Sequence, residues 1–201
     1  MSETKENQLT SKGMKTRKKI LETAEQIIGE KGYFEASIVD ITVEAGIAQG
    51  TFYNYFPTKK SVYDELVYQL SSSFRHHIKL AMEGKETFEE RQRAGFLAFF
   101  EWVINHRNLY SIVQQSVLVD KNLYRWYYEK IADGFIKSVE EAVDSHECKA
   151  LNPETIAYCF MGIGQFIGMR WVFWEERLVP DEVLDEVMEV IFHGLKREEV
   201  N

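Results

Sequence analysis

Val43–Leu66 reads VEAGIAQGTFYNYFPTKKSVYDEL and compresses a glycine turn, three aromatics in four residues, a proline and a lysine pair into one short run. Gly46 can take the left-handed backbone that a tight turn between two short helices needs, and Ile47 can turn back into a small core. Phe52 and Phe56 lie one helical turn apart and face that core, which leaves Gln49, Gly50, Thr51, Tyr53, Asn54 and Tyr55 mostly outward. A short helix showing amide, hydroxyl and phenol groups with little charge suits a nucleic-acid groove. Gln49 can pair with a base edge, Gly50 lets the backbone approach a duplex, and Thr51 can bond a phosphate or touch a thymine methyl. Tyr53 and Tyr55 can reach phosphate oxygens. Pro57 then ends the helix, and Lys59 and Lys60 open the next one, where ammonium groups and free backbone amides both favour an anion.

Outward from this run the chain reads as helix after helix. Upstream, Ile20, Ala24, Ile27 and Ile28 recur at helical spacing from about Met14 to Lys31, and Gly32 supplies the stop. Ser37 stands as N-cap of a second helix, 38 to 45, whose Ile38, Ile41 and Ala45 share a face. The third runs from 49 to 56, and a long fourth from 58 to 82 with Thr58 as its cap. Further helices are expected at 87 to 106, 108 to 118, 121 to 147, 153 to 177 and 181 to 197. The fold class is therefore all-α, about nine helices, with no alternating strand pattern and no internal repeat. Residues 1–13 read as polar and loose.

Composition narrows the class of partner. Of 24 Lys/Arg and 32 Asp/Glu, residues 1–60 hold 9 and 8, so a near-neutral head precedes a strongly acidic remainder. That asymmetry points to a polyanion for the head alone. The two cysteines, Cys148 and Cys159, form neither a CxxC pair nor a metal-ligand spacing and read as free thiols. The five scattered histidines read as surface groups. No metal, cofactor or catalytic triad is expected, and the protein is not read as an enzyme. Gly162, Gly164 and Gly168 superficially resemble a dinucleotide loop, but they fall inside one apolar helix rather than after a strand. The N-terminus has no signal core and no apolar run is judged long enough for a membrane span, so a cytoplasmic protein is expected.

The head resembles the TetR family of bacterial repressors. The resemblance rests on Ile20-Leu21 and Ala24, Gly32-Tyr33-Phe34, Ala45-Gly46-Ile47, Gly50-Thr51-Phe52-Tyr53, Tyr55-Phe56 and Lys59, about fifty residues in continuous order. It implies a DNA-binding head at 14–60, with its helix-turn-helix at about 37–56, and a helical effector-binding and dimerisation body at 61–201. It implies base or groove contacts from Gln49, Gly50 and Thr51, with Asn54 beside them, and phosphate contacts from Ser37, Tyr53, Tyr55 and Lys59. Ala48 and Gln49 depart from the family's frequent Ser and Lys, which bears on the target sequence rather than on the docking mode.

In the body, residues 153–177 form a helix apolar nearly all round, which calls for burial on most faces. Interior glycines each cost about 0.5–1 kcal/mol relative to alanine, so the three at Gly162, Gly164 and Gly168 suggest a close backbone crossing, with Gly164 and Gly168 at its centre. With Val187 and Ile191 of the last helix they are the expected interface of a homodimer. Phe99, Tyr110, Trp126, Tyr127, Tyr158 and Trp171 are the expected lining of a pocket for a small apolar or aromatic effector, such as a fatty acyl group or a drug-like compound. The resulting expectation is a ligand-responsive repressor of double-stranded DNA, set against a helical protein-interaction adaptor as the other class of function.

Overall fold

The computed structural model describes residues 10–195. Among them are nine α-helices and no strand: α1 (Ser11–Lys31), α2 (Ile38–Glu44), α3 (Gln49–Tyr53), α4 (Lys59–Met82), α5 (Phe88–Asn105), α6 (Arg107–Val119), α7 (Lys121–Asp144), α8 (Pro153–Gly168) and α9 (Asp181–Phe192), with a π-helical turn at Met169–Trp174 between the last two. The expected all-α order is the one found.

Side-chain caps set most of the helix starts. Thr10, Ser37, Thr58, Thr87, Asp120 and Asn152 each accept a hydrogen bond from a backbone amide of the first turn that would otherwise lack a partner. Thr10 starts α1 three residues ahead of the expected Met14, so that part of the loose tail is helical, and residues 1–9 lie outside the described region. At the other end Gly194, at φ +81°, closes the chain turn after Phe192, short of the expected 197. The end of that expected helix also lies outside the described residues.

One continuous core runs from Ile20, Ile28, Ile41 and Phe52 in the head through Tyr63 to Ile112 and Leu184 in the body. Helix α6 joins the two. An added Cβ on Gly29 would sit 2.5 Å from Asn108 Cβ, so only glycine allows α1 and α6 to cross this closely. The Tyr33 amide donates to Gln115 Oε1 at 2.7 Å, and the fully buried Tyr63 hydroxyl donates to the Ile112 carbonyl at 2.6 Å. Close packing and a hydrogen bond thus tie the head to α6 at two points, and a third holds α4 to the same helix.

The segment expected as one helix over 153–177 changes pitch. Six residues, Met169–Trp174, wind as a π turn before Glu176, at φ 55°, ends the run. The turn coincides with Trp171, Val172, Phe173 and Trp174, four large or β-branched side chains in succession. Pro153–Trp174 is also, by length and composition, long and apolar enough to cross a membrane, contrary to the expectation that no run reaches that length. Its apolar character is shared between a face packed on α5 and α7 and a face left open.

Candidate nucleic-acid interface and aromatic body

The turn of the head is built as the residue types require. Gly46 has φ +63°, its amide donates to the Val43 carbonyl, and the Ile47 amide donates to the Thr42 carbonyl at 3.0 Å. Phe52 is fully buried and Phe56 nearly so, 6.0 Å apart ring to ring. Gln49, Gly50, Tyr53 and Asn54 are exposed, while Thr51 and Tyr55 are half-buried. The helix is shorter than expected, ending at Tyr53, so Tyr55 lies beyond it and partly packs on the core. Tyr53 stays 53% exposed with its ring edge-on to Phe52 at 5.6 Å.

Gly50 carries information that packing does not explain. A Cβ there would meet nothing within 4 Å, and the glycine has ordinary helical φ. A helical glycine costs about 0.5–1 kcal/mol relative to alanine. Nothing within 4 Å asks for it, as is true also of Gly134 and Gly162, and it lies beside the exposed Gln49 and Tyr53.

Two residues assigned to phosphate by the resemblance are held by the protein itself. Ser37 Oγ accepts from the Asp40 amide at 3.0 Å and donates to Asp40 Oδ2 at 2.6 Å, closing a capping box with the Ser37 amide. The Ser37 hydroxyl, then Lys31, then the Ser37 amide hold the Asp40 carboxyl down to about 2. Lys59 Nζ donates to the Tyr33 and Ala36 carbonyls, both at 2.6 Å, and stands 4.3 Å over the Tyr33 ring. Partial burial lowers its pKa, and its ammonium ties down the loop between α1 and α2. Lys60, expected beside it as an anion site, instead bridges Asp64 and Asp120. Burial pulls its pKa down, but the two carboxylates together raise it. Asp120 also caps α7, so this bridge connects the start of α4 to the body. Sequence reasoning missed Gly29, Gln115 and Asp120, whose roles depend on contacts 60 to 82 positions apart.

The body divides the expected pocket residues into two groups. Tyr110 and Tyr127 are buried in the interior, with the half-buried Phe99 against Tyr110. Tyr110 is 6% exposed, its ring between Phe99 at 6.5 Å and Phe173 at 5.7 Å. Tyr127 is buried beside Tyr128, whose hydroxyl accepts from the Gln114 amide at 3.2 Å. Tyr158, by contrast, is 48% exposed on the open face of α8 and does not join them. Trp126 lies edge-on to the exposed Tyr68 at 4.6 Å, toward the surface. The Trp171 indole carries the guanidinium groups of Arg170 at 4.9 Å and Arg177 at 4.6 Å, an aromatic and cationic corner at the π turn. A groove of about 600 Å³ lies elsewhere, between α1 and α4, lined by Met14, Arg17, Leu21, Glu25, Leu66 and Gln69.

The expected dimer residues also point differently. A Cβ on Gly164 would meet Phe96 at 3.0 Å, and one on Gly168 would meet Phe99 at 3.0 Å. The glycines admit the phenylalanines of this chain's own α5, not a second copy. Val187 is buried in the same chain and Ile191 half-buried. The apolar residues left outside are Tyr158, Phe166 at 65% exposure and Trp174 at 62% on α8 and its π turn, with Val190 on α9. Ring packing within one chain needs the same space as a contact between chains, so these glycines do not by themselves mark an interface.

A glycine-turned pair of short helices, the second showing amide and phenol groups on a helical body, defines a helix-turn-helix DNA-binding regulator. Residues 20–66 match the model of the bacterial regulatory proteins, tetR family. The head is thus similar to the DNA-binding domain of that family, and the chain is a ligand-responsive DNA-binding transcriptional regulator. It is 28% identical over 182 residues to the HTH-type transcriptional regulator YvdT of Bacillus subtilis, covering 89% of this chain and 92% of that one. It is 24% identical over 182 residues to the fatty acid metabolism regulator protein of the same organism, covering 88% and 93%. Its fold matches the transcriptional regulator FadR from Bacillus subtilis, solved in complex with stearoyl-CoA, with TM-score 0.78 and 20% identity over 89% of this chain and 99% of that one. The adaptor reading is not favoured by these relatives.

Proposed function

We propose that the chain is a dimeric repressor that docks α3 in the major groove of a pseudo-palindromic operator and lets go when an apolar effector occupies its body. The observation that carries the DNA-reading part is Gly50, a helical glycine with open space where its Cβ would be, set between the exposed Gln49 and Tyr53. Gln49, Gly50 and Thr51 read the groove, and Tyr53, Asn54 and Tyr55 bond the flanking phosphates. Ser37 and Lys59 act mainly from within: one caps α2 and the other pins the loop before it, so both position the reading helix. The DNA-binding unit spans 14–60 with α1 reaching back to Ser11, and 61–201 is the effector-binding and dimerisation unit. A DNA partner places the protein in the cytoplasm.

The open face of α8 with α9 supports a homodimer built as a four-helix interface, with Tyr158, Phe166, Trp174 and Val190 in it. Two heads on a twofold body fit half-sites about one helical turn apart, roughly 34–36 Å. Phe99, Tyr110 and Tyr127 supply an aromatic interior for the effector. The stearoyl-CoA held by the structural neighbour supports a long-chain acyl group as its chemistry. Occupation would favour a body shape in which α6 and α4 shift, carrying Gly29, Tyr33 and Lys60 with them, so that the two reading helices no longer fit successive grooves. Coupling of this kind is typically about 1–3 kcal/mol.

Selection of bound sequences from random double-stranded DNA tests the reading. The expected result is a palindromic consensus whose affinity falls steeply as salt rises, because neutralised phosphates release counterions. Failure to bind any duplex at low salt, or binding to a lone asymmetric half-site at full affinity, overturns it.

A further inference from the structure

Tyr110 is the starting point. Its hydroxyl oxygen is sealed from solvent and has no hydrogen-bond partner among the described residues. Burying a hydroxyl without a partner is unfavourable, so such a group in a native interior calls for an explanation. The ring lies against Phe99 and Phe173, neither of which can accept a hydrogen bond. Gln165 on α8 approaches the hydroxyl and pulls slightly against the effect of burial, but its geometry does not complete a bond. Burial pushes the phenol up to about 12, so it remains a protonated donor at any physiological pH. The polar groups beside it include the hydroxyls of Tyr127 and Tyr128 and the amide of Gln114; of the nearby guanidinium groups, Arg75 acts on Tyr127 rather than on Tyr110, and Arg107, 6.0 Å from the Phe173 ring, is paired with Glu176.

We propose that the Tyr110 hydroxyl is the specificity determinant of the effector site, donating to a neutral carbonyl on an otherwise apolar ligand, so that the site takes acyl thioesters or esters and rejects the free carboxylate. This rests on the reading above that an apolar effector occupies the body. The chemistry of the shell makes the choice. A phenol between two phenyl rings, with an amide beside it, can bond a carbonyl oxygen at no cost in buried charge. A carboxylate in the same place would be an ionised group in an apolar shell, where desolvation outweighs one neutral hydrogen bond.

The ring belongs to the core, but its hydroxyl stabilises nothing in the free protein. Tyr110→Phe removes an unpartnered oxygen and keeps the ring, so it raises the melting temperature while weakening the ligand. Tryptophan fluorescence of the full chain is titrated with stearoyl-CoA, with S-octadecyl-CoA, a thioether lacking only the carbonyl, and with octadecanoate. Wild type is expected to bind the thioester about five- to tenfold more tightly than the thioether, the range of one net neutral hydrogen bond, and more tightly than the free acid. Tyr110→Phe is expected to abolish the preference for thioester over thioether. A preference that survives in Tyr110→Phe, or wild type favouring octadecanoate, overturns the proposal. If neither CoA compound binds wild type, the acyl-thioester effector falls. The carbonyl donor is then judged with a dodecyl methyl ketone against the corresponding alkane. Preference for the ketone that depends on Tyr110 upholds it, and equal binding ends it.

Discussion

The head and the body put their unexplained residues on opposite sides. In the head, every large apolar group of α3 turns inward, and what remains outside is amide, hydroxyl and a glycine with nothing above it. On α8, Ala157, Phe160, Gly164 and Gly168 turn inward, and what remains outside is Tyr158 and Phe166, with Trp174 on the π turn after it. A polar face with no internal purpose suits a wet, charged groove, and an apolar face with none suits a second protein surface. The same accounting of what the fold does not need therefore assigns different partners to the two halves.

The strongest way to break this comparison is to remove the support of one face and watch the other. Phe52 is fully buried under α3. Phe52→Ala is expected to cost about 3–5 kcal/mol, the range for a buried phenylalanine, and to abolish operator binding. Circular dichroism should still show most of the helical content, since α4–α9 hold it. Operator binding that survives would mean that α3 is not the reading element. The complementary variant, Phe166→Asp, places a charge on the open face of α8 without touching the core. About 2 kcal/mol or more of dimer stability should be lost, as at a central interface residue, and sedimentation should show monomers. An unchanged dimer would move the interface elsewhere.

How far the sequence could be read differs between the halves for a physical reason. The head's signals are local: Gly46, the Phe52–Phe56 spacing and the Ser37 cap each act within a turn or two, so periodicity and turn chemistry suffice. Gly164 and Gly168 show the limit. Their spacing reveals that something approaches closely, but not whether it is Phe96 and Phe99 of the same chain or another copy. The exposed placement of Tyr158 was not legible because a helix apolar all round gives no phase, and only packing on α5 and α7 decides which face is open. The π turn after Gly168 was equally hidden, since it changes the pitch without changing the residue pattern.

Gly29 tests whether the two halves communicate. An alanine Cβ would fall 2.5 Å from Asn108 Cβ and 3.0 Å from its Cα, so the α6 backbone has to move. Gly29→Ala is expected to destabilise by about 1–3 kcal/mol, the usual cost of overpacking. It should also reduce the dependence of operator affinity on effector, because α6 carries the Tyr33–Gln115 and Tyr63–Ile112 contacts. Thermal melting measures the first effect, and operator titration with and without stearoyl-CoA the second. Full coupling in a destabilised variant would show that α4 alone transmits the signal.

The smallest expected effect concerns the Ser37 cap and separates positioning from phosphate contact. Ser37→Ala should cost about 1 kcal/mol of stability, as loss of an N-cap does, measured by urea unfolding. Because the Ser37 hydroxyl is the first cause of the low Asp40 pKa, the same variant should raise that pKa from about 2 toward its ordinary 3.8. The sign of the pH effect follows. A carboxyl whose folded pKa is depressed contributes stability that is fully present above about 3.8 and disappears as the pH falls through about 2. Wild type and Asp40→Asn should therefore differ most above pH 4 and converge as the pH approaches 2, other acidic groups titrating alike in both. If Ser37 served phosphate alone, Ser37→Ala would weaken operator binding and leave the Asp40 titration where it is. A titration that moves assigns the residue to the cap, with any loss of affinity following from a less firmly held α2.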